Sequence, residues 1–396
     1  EIFTFILLRW KMSLENSRRK LLKIIAGGIL SIISGVFGAT NNLAKSKKTR
    51  KYMKINKTSI LSKISLPETG SWPVEDPFLF CVHHNDNYPA AKDDLSPNVS
   101  LSGRHLGNDF SNKDGWSMYH GQKVPGFPRH PHRGFETLTV VSKGFIDHAD
   151  SLGASARYGD GDAQWLTAGD GINHSEMFPL FRQNRKNKLD FFQIWLNLPS
   201  YNKRVEPNFE MYWEDEIPKI SSNLNGNKNV QVEIITGDYL DFSSPIAPKN
   251  SWANNKKNDV AVWIIRLDKN GKFAVPNTKS GAKRNLYVLK GSNMEIDGQS
   301  ISGGSMVTLD SSKNTAIKNL GSITKILLLQ GVPINEPVVK YGPFVMNTRS
   351  EIEQAFYDYN RTEFGGWKWS NSDPVHGTEP EKFAKLISGK IIKPGK

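Results

Sequence analysis

From about residue 70 onward the chain repeats one pattern. Short apolar runs, rich in β-branched and aromatic residues, are broken by turns of Gly, Asn and Asp. "FETLTVVSKG" (135–144) ends on a glycine, "FIDHADS" (145–151) follows, and "GDGDAQWLTAGDGINHSEMF" (159–178) holds three tight-turn clusters. Runs of this length between such turns predict closely spaced β-strands. "LDFFQIWLNLP" (189–199) is a further apolar strand, stopped by Pro199. The rhythm returns in "NVQVEIITG" (229–237), "DVAVWIIRLD" (259–268), "RNLYVLKGSNMEIDGQSISGGSMVTLD" (284–310) and "ITKILLLQG" (323–331). Two β-barrels or sandwiches in tandem are therefore expected, at 68–205 and 206–340. Thr348-Arg349-Ser350-Glu351 then fits a capping box, and Ile352, Phe356 and Tyr359 recur at helical spacing. A short helix and an irregular tail, "FGGWKWSNSDPVHG" (364–377), are expected within 341–396. The polar stretch between Asn85 and Val124 reads as a long ordered loop or insertion.

Composition alters this picture at one end. The chain has 396 residues and a formal charge of +13. Fourteen of its 52 Lys and Arg and two of its 39 acids fall in residues 1–67, which leaves 38 basic against 37 acidic residues in the remainder. The part that folds is nearly neutral, so no nucleic-acid partner is expected. The excess belongs to a leader. Its first residue is Glu1, which points to a true start at Met12. Ser17-Arg18-Arg19-Lys20-Leu21-Leu22-Lys23 then resembles a twin-arginine export signal ahead of an uncharged run from Ile24. A membrane anchor or an organellar transit peptide are the alternatives. An exported or organellar protein follows if the leader functions, a cytoplasmic one otherwise, with membrane contact only through an uncleaved leader. Residues 40–67 read as a flexible linker. The single cysteine, Cys81, excludes an intrachain disulfide and a cysteine metal cluster.

Candidate chemistry gathers in "GFPRHPHRGFETLTVV" (126–141). Residues two apart on a strand project from one face, roughly 6–7 Å apart. His130 and His132 can thus meet one ion, and Glu136 is of the same parity. "GDGINHSEM" presents His174 and Glu176, again two apart. Two such pairs on adjacent antiparallel strands would converge. Three imidazoles and a carboxylate suit one divalent first-row metal and leave positions open for substrate, water or dioxygen. Beyond His174 the only histidine is His376, in the tail, so the second half has no imidazole for such a site.

The segment "GFPRHPHRGFETLTVVSKG" resembles the first motif of the cupin superfamily. "GDAQWLTAGDGINHSEM" resembles the second motif in its pirin-family form, and "FFQIWLNLP" and "EPVVKYGPFVMNTRSEIEQAFYDY" are also similar to pirin segments. The likeness covers roughly residues 75–365. It implies an all-β fold of two tandem cupin (jelly-roll-like) β-barrels with a few short helices, metal being bound in the first barrel only. The implied ligands are His130, His132, His174 and Glu176, with Glu176 also the base. Glu136 matches a ligand of other cupins and is placed in a supporting shell, with Arg133 available as its partner. The implied cofactor is Fe(II) ahead of Cu, Mn, Ni or Zn, and the implied activity is dioxygenase cleavage of quercetin-like flavonols or related phenols. The partners are then a small planar phenol and O2. A non-catalytic, redox-sensing metal protein is the alternative, and a hydrolase or isomerase stays open. On "FFQIWLNLP", Gln193 is expected to line the pocket and Trp195 to belong to the core. His83, His84 and His120 are expected to make loop hydrogen bonds, with the 85–124 segment a candidate lid. His148 is placed on a turn and given no role.

Overall fold

The computed structural model describes residues 58–221, 229–278, 280–289 and 293–395. The expected start, export signal and most of the linker lie outside these residues. Among the described residues no helix is long and apolar enough to cross a membrane.

The first half is a jelly-roll of two sheets. Apart from β1 (Ile60–Ser65), which joins the second half, its strands are β2 (Phe78–Tyr88), β3 (Gly126–His132), β4 (Phe135–Lys143), β5 (Phe145–Asp150), β6 (Ser155–Gly159), β7 (Ala163–Thr167), β8 (Ile172–Met177), β9 (Asn187–Asn197) and β10 (Asn208–Tyr212). One sheet has the order β10-β7-β4-β9-β2. The other runs β3-β8-β5-β6 and is extended by two short tail strands, Phe383–Lys385 and Ile391–Ile392. Val141, Leu166 and Phe191 of the first sheet pack against Ile146, Ala156 and Ile172 of the second.

The second half is built on a seven-stranded sheet and a four-stranded sheet, whose inner faces enclose Trp263, Leu286, Leu328 and Ile317. The two halves share a core. Leu138, Val140 and Ile194, on the outer face of the five-stranded sheet, pack on Val262, Ile264 and Leu327 of the seven-stranded one. The five-stranded sheet is thus covered on both faces, which is why β9 reads as a continuous apolar run rather than an alternation. Both halves are open sheets facing each other, not closed barrels.

The structure moves the expected boundaries. β1 lies within the expected linker, yet it pairs with Ser305–Leu309 at the edge of the second half's sheet. β10 falls in the expected second half, 206–340, yet it pairs with β7 of the first. The tail is irregular over 364–377, but residues 383–385 pair with β6. The expected helix is present as α1 (Arg349–Thr362). Its capping box is complete: Thr348 accepts from the Glu351 amide and Glu351 accepts from the Thr348 amide. Ile352 and Ala355 bury against Phe344 and Met346.

Candidate metal centre

β3 and β8 pair antiparallel with His130 opposite His174, after an irregular step between Phe127 and His130. His130, His132 and His174 consequently share one interior face. Their ring centroids lie 4.4–4.9 Å apart. One donor nitrogen from each falls within 4.8 Å of the others, so small side-chain rotations bring all three onto one ion. Burial depresses all three imidazoles: His130 titrates down at about 4, and His132 and His174 well below the ordinary value. They are neutral at pH 7 and present lone pairs, the form a metal requires.

Two of the rings are oriented from outside. His130 Nδ1 contacts the Pro128 carbonyl at 2.9 Å, and His132 Nδ1 faces the Pro343 carbonyl at 3.4 Å. A carbonyl only accepts, so Nδ1 carries the proton in each and Nε2 is the donor atom left for a metal. His174 is fully buried, and neither of its ring nitrogens has a hydrogen-bond partner. A buried polar atom of that kind calls for an occupant, and a divalent ion fits this one. Among the described residues no second group of three such side chains converges.

Residues 73–196 match the Pirin family description and residues 262–365 match the "Pirin C-terminal cupin domain". A Pseudomonas aeruginosa protein, provisionally named a quercetin 2,3-dioxygenase, is 32% identical over 243 residues, covering 61% of this chain and 80% of its own. Human pirin is 32% identical over 252 residues, covering 62% and 80% respectively. The chain belongs to the pirin family. A crystal structure of quercetin 2,3-dioxygenase from Acinetobacter baumannii superposes with a TM-score of 0.61 at 26% identity, covering 78% of this chain and 99% of that one. The two-cupin fold expected from the motifs is thus present here.

In this pirin, Glu176 lies on the same face of β8 as His174 and is buried. Its carboxylate is turned toward β9 and β4: Gln193 Nε2 donates to both oxygens at 2.8 and 3.1 Å, and Thr139 Oγ1 lies 3.1 Å from Oε1. Burial raises its pKa from the ordinary value. Gln193 therefore holds Glu176. Trp195 is only half-buried; it packs on Phe80 and Phe135 and its ring lies 5.3 Å from His132, so it stands beside the imidazoles as well as against the core.

Glu136 and Arg133 do not form the expected pair beside the imidazoles. The parity count from His132 to Glu136 fails because the chain turns between β3 and β4 at Gly134, where φ is +85°. A Cβ there would stand 2.0 Å from the Val345 carbonyl, so only glycine fits. After the turn, Glu136 shares the outer face with Leu138 and Val140. It accepts from Thr167 Oγ1 (2.8 Å) and from Ser251 Oγ of the second half (2.6 Å), away from the imidazoles. Arg133 does not touch Glu136. It donates to the Asp170 carbonyl (2.6 Å) and to Asp358 of α1 (2.7 Å), clamping the C-terminal segment beside the ligand strand.

Other histidines sort themselves by position. His83 bonds Asp190 at 3.0 Å and stacks on Phe192; His84 stacks on Phe191 and is held by burial at about 3. Both lie on β2 rather than in a loop. His120 bonds the Gly107 carbonyl, as expected of a loop residue. His148, expected on a turn, sits buried on β5 opposite Glu176. Its ring is 5.6 Å from that of His174, and Nε2 meets Asp150 at 3.2 Å. The alternation of "FIDHAD" carried that signal, since Ile146, His148 and Asp150 share a parity.

Proposed function

We propose that this chain is a metal-dependent dioxygenase that opens quercetin-like flavonols or related phenols with O2. The observation supporting this most directly is the convergence of three neutral imidazoles near a buried carboxylate of raised pKa, with the Phe127 ring 6.3 Å from His130 and the Trp195 ring 5.3 Å from His132. His130, His132 and His174 would hold the ion, with Glu176 as fourth ligand once its carboxylate turns from Gln193. A divalent ion there supplies a Lewis acid that lowers the pKa of a hydroxyl bound to it. The chain's own residues supply the rest. Glu176, poised by burial nearer neutral pH than an ordinary carboxylate, takes the substrate's hydroxyl proton. Gln193 and Thr139 hold it until it turns to the ion, and the neighbouring aromatic rings align a flat ring.

The full chain, reconstituted with iron, manganese, copper, nickel or zinc and analysed for metal content, should bind about one equivalent. With a redox-active metal it should consume oxygen when quercetin is added. Glu176→Gln should keep its metal and lose oxygen uptake if the carboxylate acts as the base. Metal binding without oxygen uptake, with every metal tried, would instead favour a metal-dependent interaction protein. The test needs residues from 58 onward, because a version starting at residue 68 lacks β1.

A further inference from the structure

The long segment before β3 is anchored rather than loose. Asp109 accepts from the amides of Ser111 and Met118, from Ser111 Oγ and from Arg104. Arg104 lies 3.4 Å over the Trp116 ring and also donates to the Trp116 and Lys113 carbonyls. Asp86 of β2 accepts from the Ser117 amide and from Tyr119 Oη, both at 2.9 Å. A segment so bound makes a fixed wall, not a lid that swings.

Its apolar tip lies beside the metal cluster's one accessible ligand. His130 is partly exposed, whereas His132 is 5% and His174 0% exposed. The Phe127 ring lies 6.3 Å from His130, and around Phe127 stand His120 at 5.7 Å and Phe110 at 6.4 Å. Phe110 and His120 are themselves 5.1 Å apart, nearly perpendicular. Phe110 is 49% exposed although the backbone on both sides of it is tied down. His120 Nδ1 gives its proton to the Gly107 carbonyl at 2.7 Å, so Nε2 of this exposed side chain is left as an acceptor. The wall thus offers two ring faces and one hydrogen-bond acceptor, a short distance outward from the imidazoles.

We propose that Phe110, Phe127 and His120 form a subsite for a second aromatic ring, so that the site selects phenols with two separate rings over one-ring hydroxyketones and enediols. This rests on the phenol-binding reading above. The metal end would take the hydroxyketone edge, the two phenylalanines would pack the outer ring edge-to-face, and His120 Nε2 would accept from a hydroxyl on that ring.

The test uses the full chain loaded with zinc, which is redox-inert and permits binding without turnover, and calorimetric titration with three probes. These are quercetin, galangin (the same flavonol without hydroxyls on its outer ring) and 3-hydroxypyran-4-one (the hydroxyketone on one ring). The wild type should bind quercetin at least about tenfold more tightly than the pyranone. Phe110→Ala should weaken both flavonols about five- to tenfold and leave the pyranone unchanged. His120→Ala should weaken quercetin and spare galangin. Unchanged zinc stoichiometry in both variants checks that the centre is intact. Equal weakening of all three probes, or no weakening of any, overturns the subsite. A wild type that binds the pyranone as tightly as quercetin overturns it while leaving the phenol reading standing; a wild type that binds none of the probes overturns both.

Discussion

Glu136 offers a sharp test of how the two halves are joined. It is fully buried and accepts from the Thr167 and Ser251 hydroxyls. Burial pushes its carboxyl from the ordinary 4.5 up to about 7. At about 1.4 kcal/mol per tenfold change, that gap corresponds to roughly 3 kcal/mol. The direction follows from linkage. Below about pH 4.5 the group is protonated in both folded and unfolded chains, and its contribution to stability is intact. As pH rises toward 7 the unfolded chain ionises first, and that contribution is lost. Glutamine mimics the protonated form at every pH. Glu136→Gln should therefore match the wild type near pH 4.5 and exceed it by about 3 kcal/mol at pH 8. Urea unfolding followed by tryptophan fluorescence, in chelator and across pH 4.5–8, measures the difference; the histidines titrate alike in both proteins and cancel. Metal affinity should not change, because the side chain faces the other half. A stability difference that stays flat with pH, or an altered metal affinity, would refute this placement.

His174→Ala should bring metal content in dialysed protein from about one equivalent to near zero, measured by elemental analysis, because His174 is the most deeply buried of the three imidazoles. Arg133→Ala leaves Asp358 without its buried partner and should cost about 3 kcal/mol in urea unfolding, with α1 becoming the first segment to exchange its amide hydrogens. Removing residues 1–67 strips β1, leaves Ser305–Leu309 as a bare edge, and should lower the melting temperature and promote association seen by size-exclusion chromatography.

Much of the centre was legible in the sequence because it depends on local rules. A strand alternates with period two, so His130 with His132 and His174 with Glu176 had to pair by face whatever the wider fold. The capping box at Thr348 and Glu351 is likewise complete within four residues. What escaped depends on long-range partners. Parity carried from His132 to Glu136 crossed a glycine turn and reversed. Arg133 met Asp358, 225 residues away, and no spacing rule reaches that far. The Pro343 carbonyl that faces His132, and the Ser251 hydroxyl on Glu136, come from segments whose position only the packing of the two halves decides.

By itself, then, the chain's residue pattern determined the strands, the helix cap and which side chains share a face, since these follow from backbone geometry over a few residues. Tertiary structure decided which face became the site, that β1 and the tail strands join sheets far from them in sequence, and where the carboxylate of Glu176 points. Those outcomes turn on burial and on hydrogen-bond partners that come together only when distant segments pack, a competition no local pattern encodes.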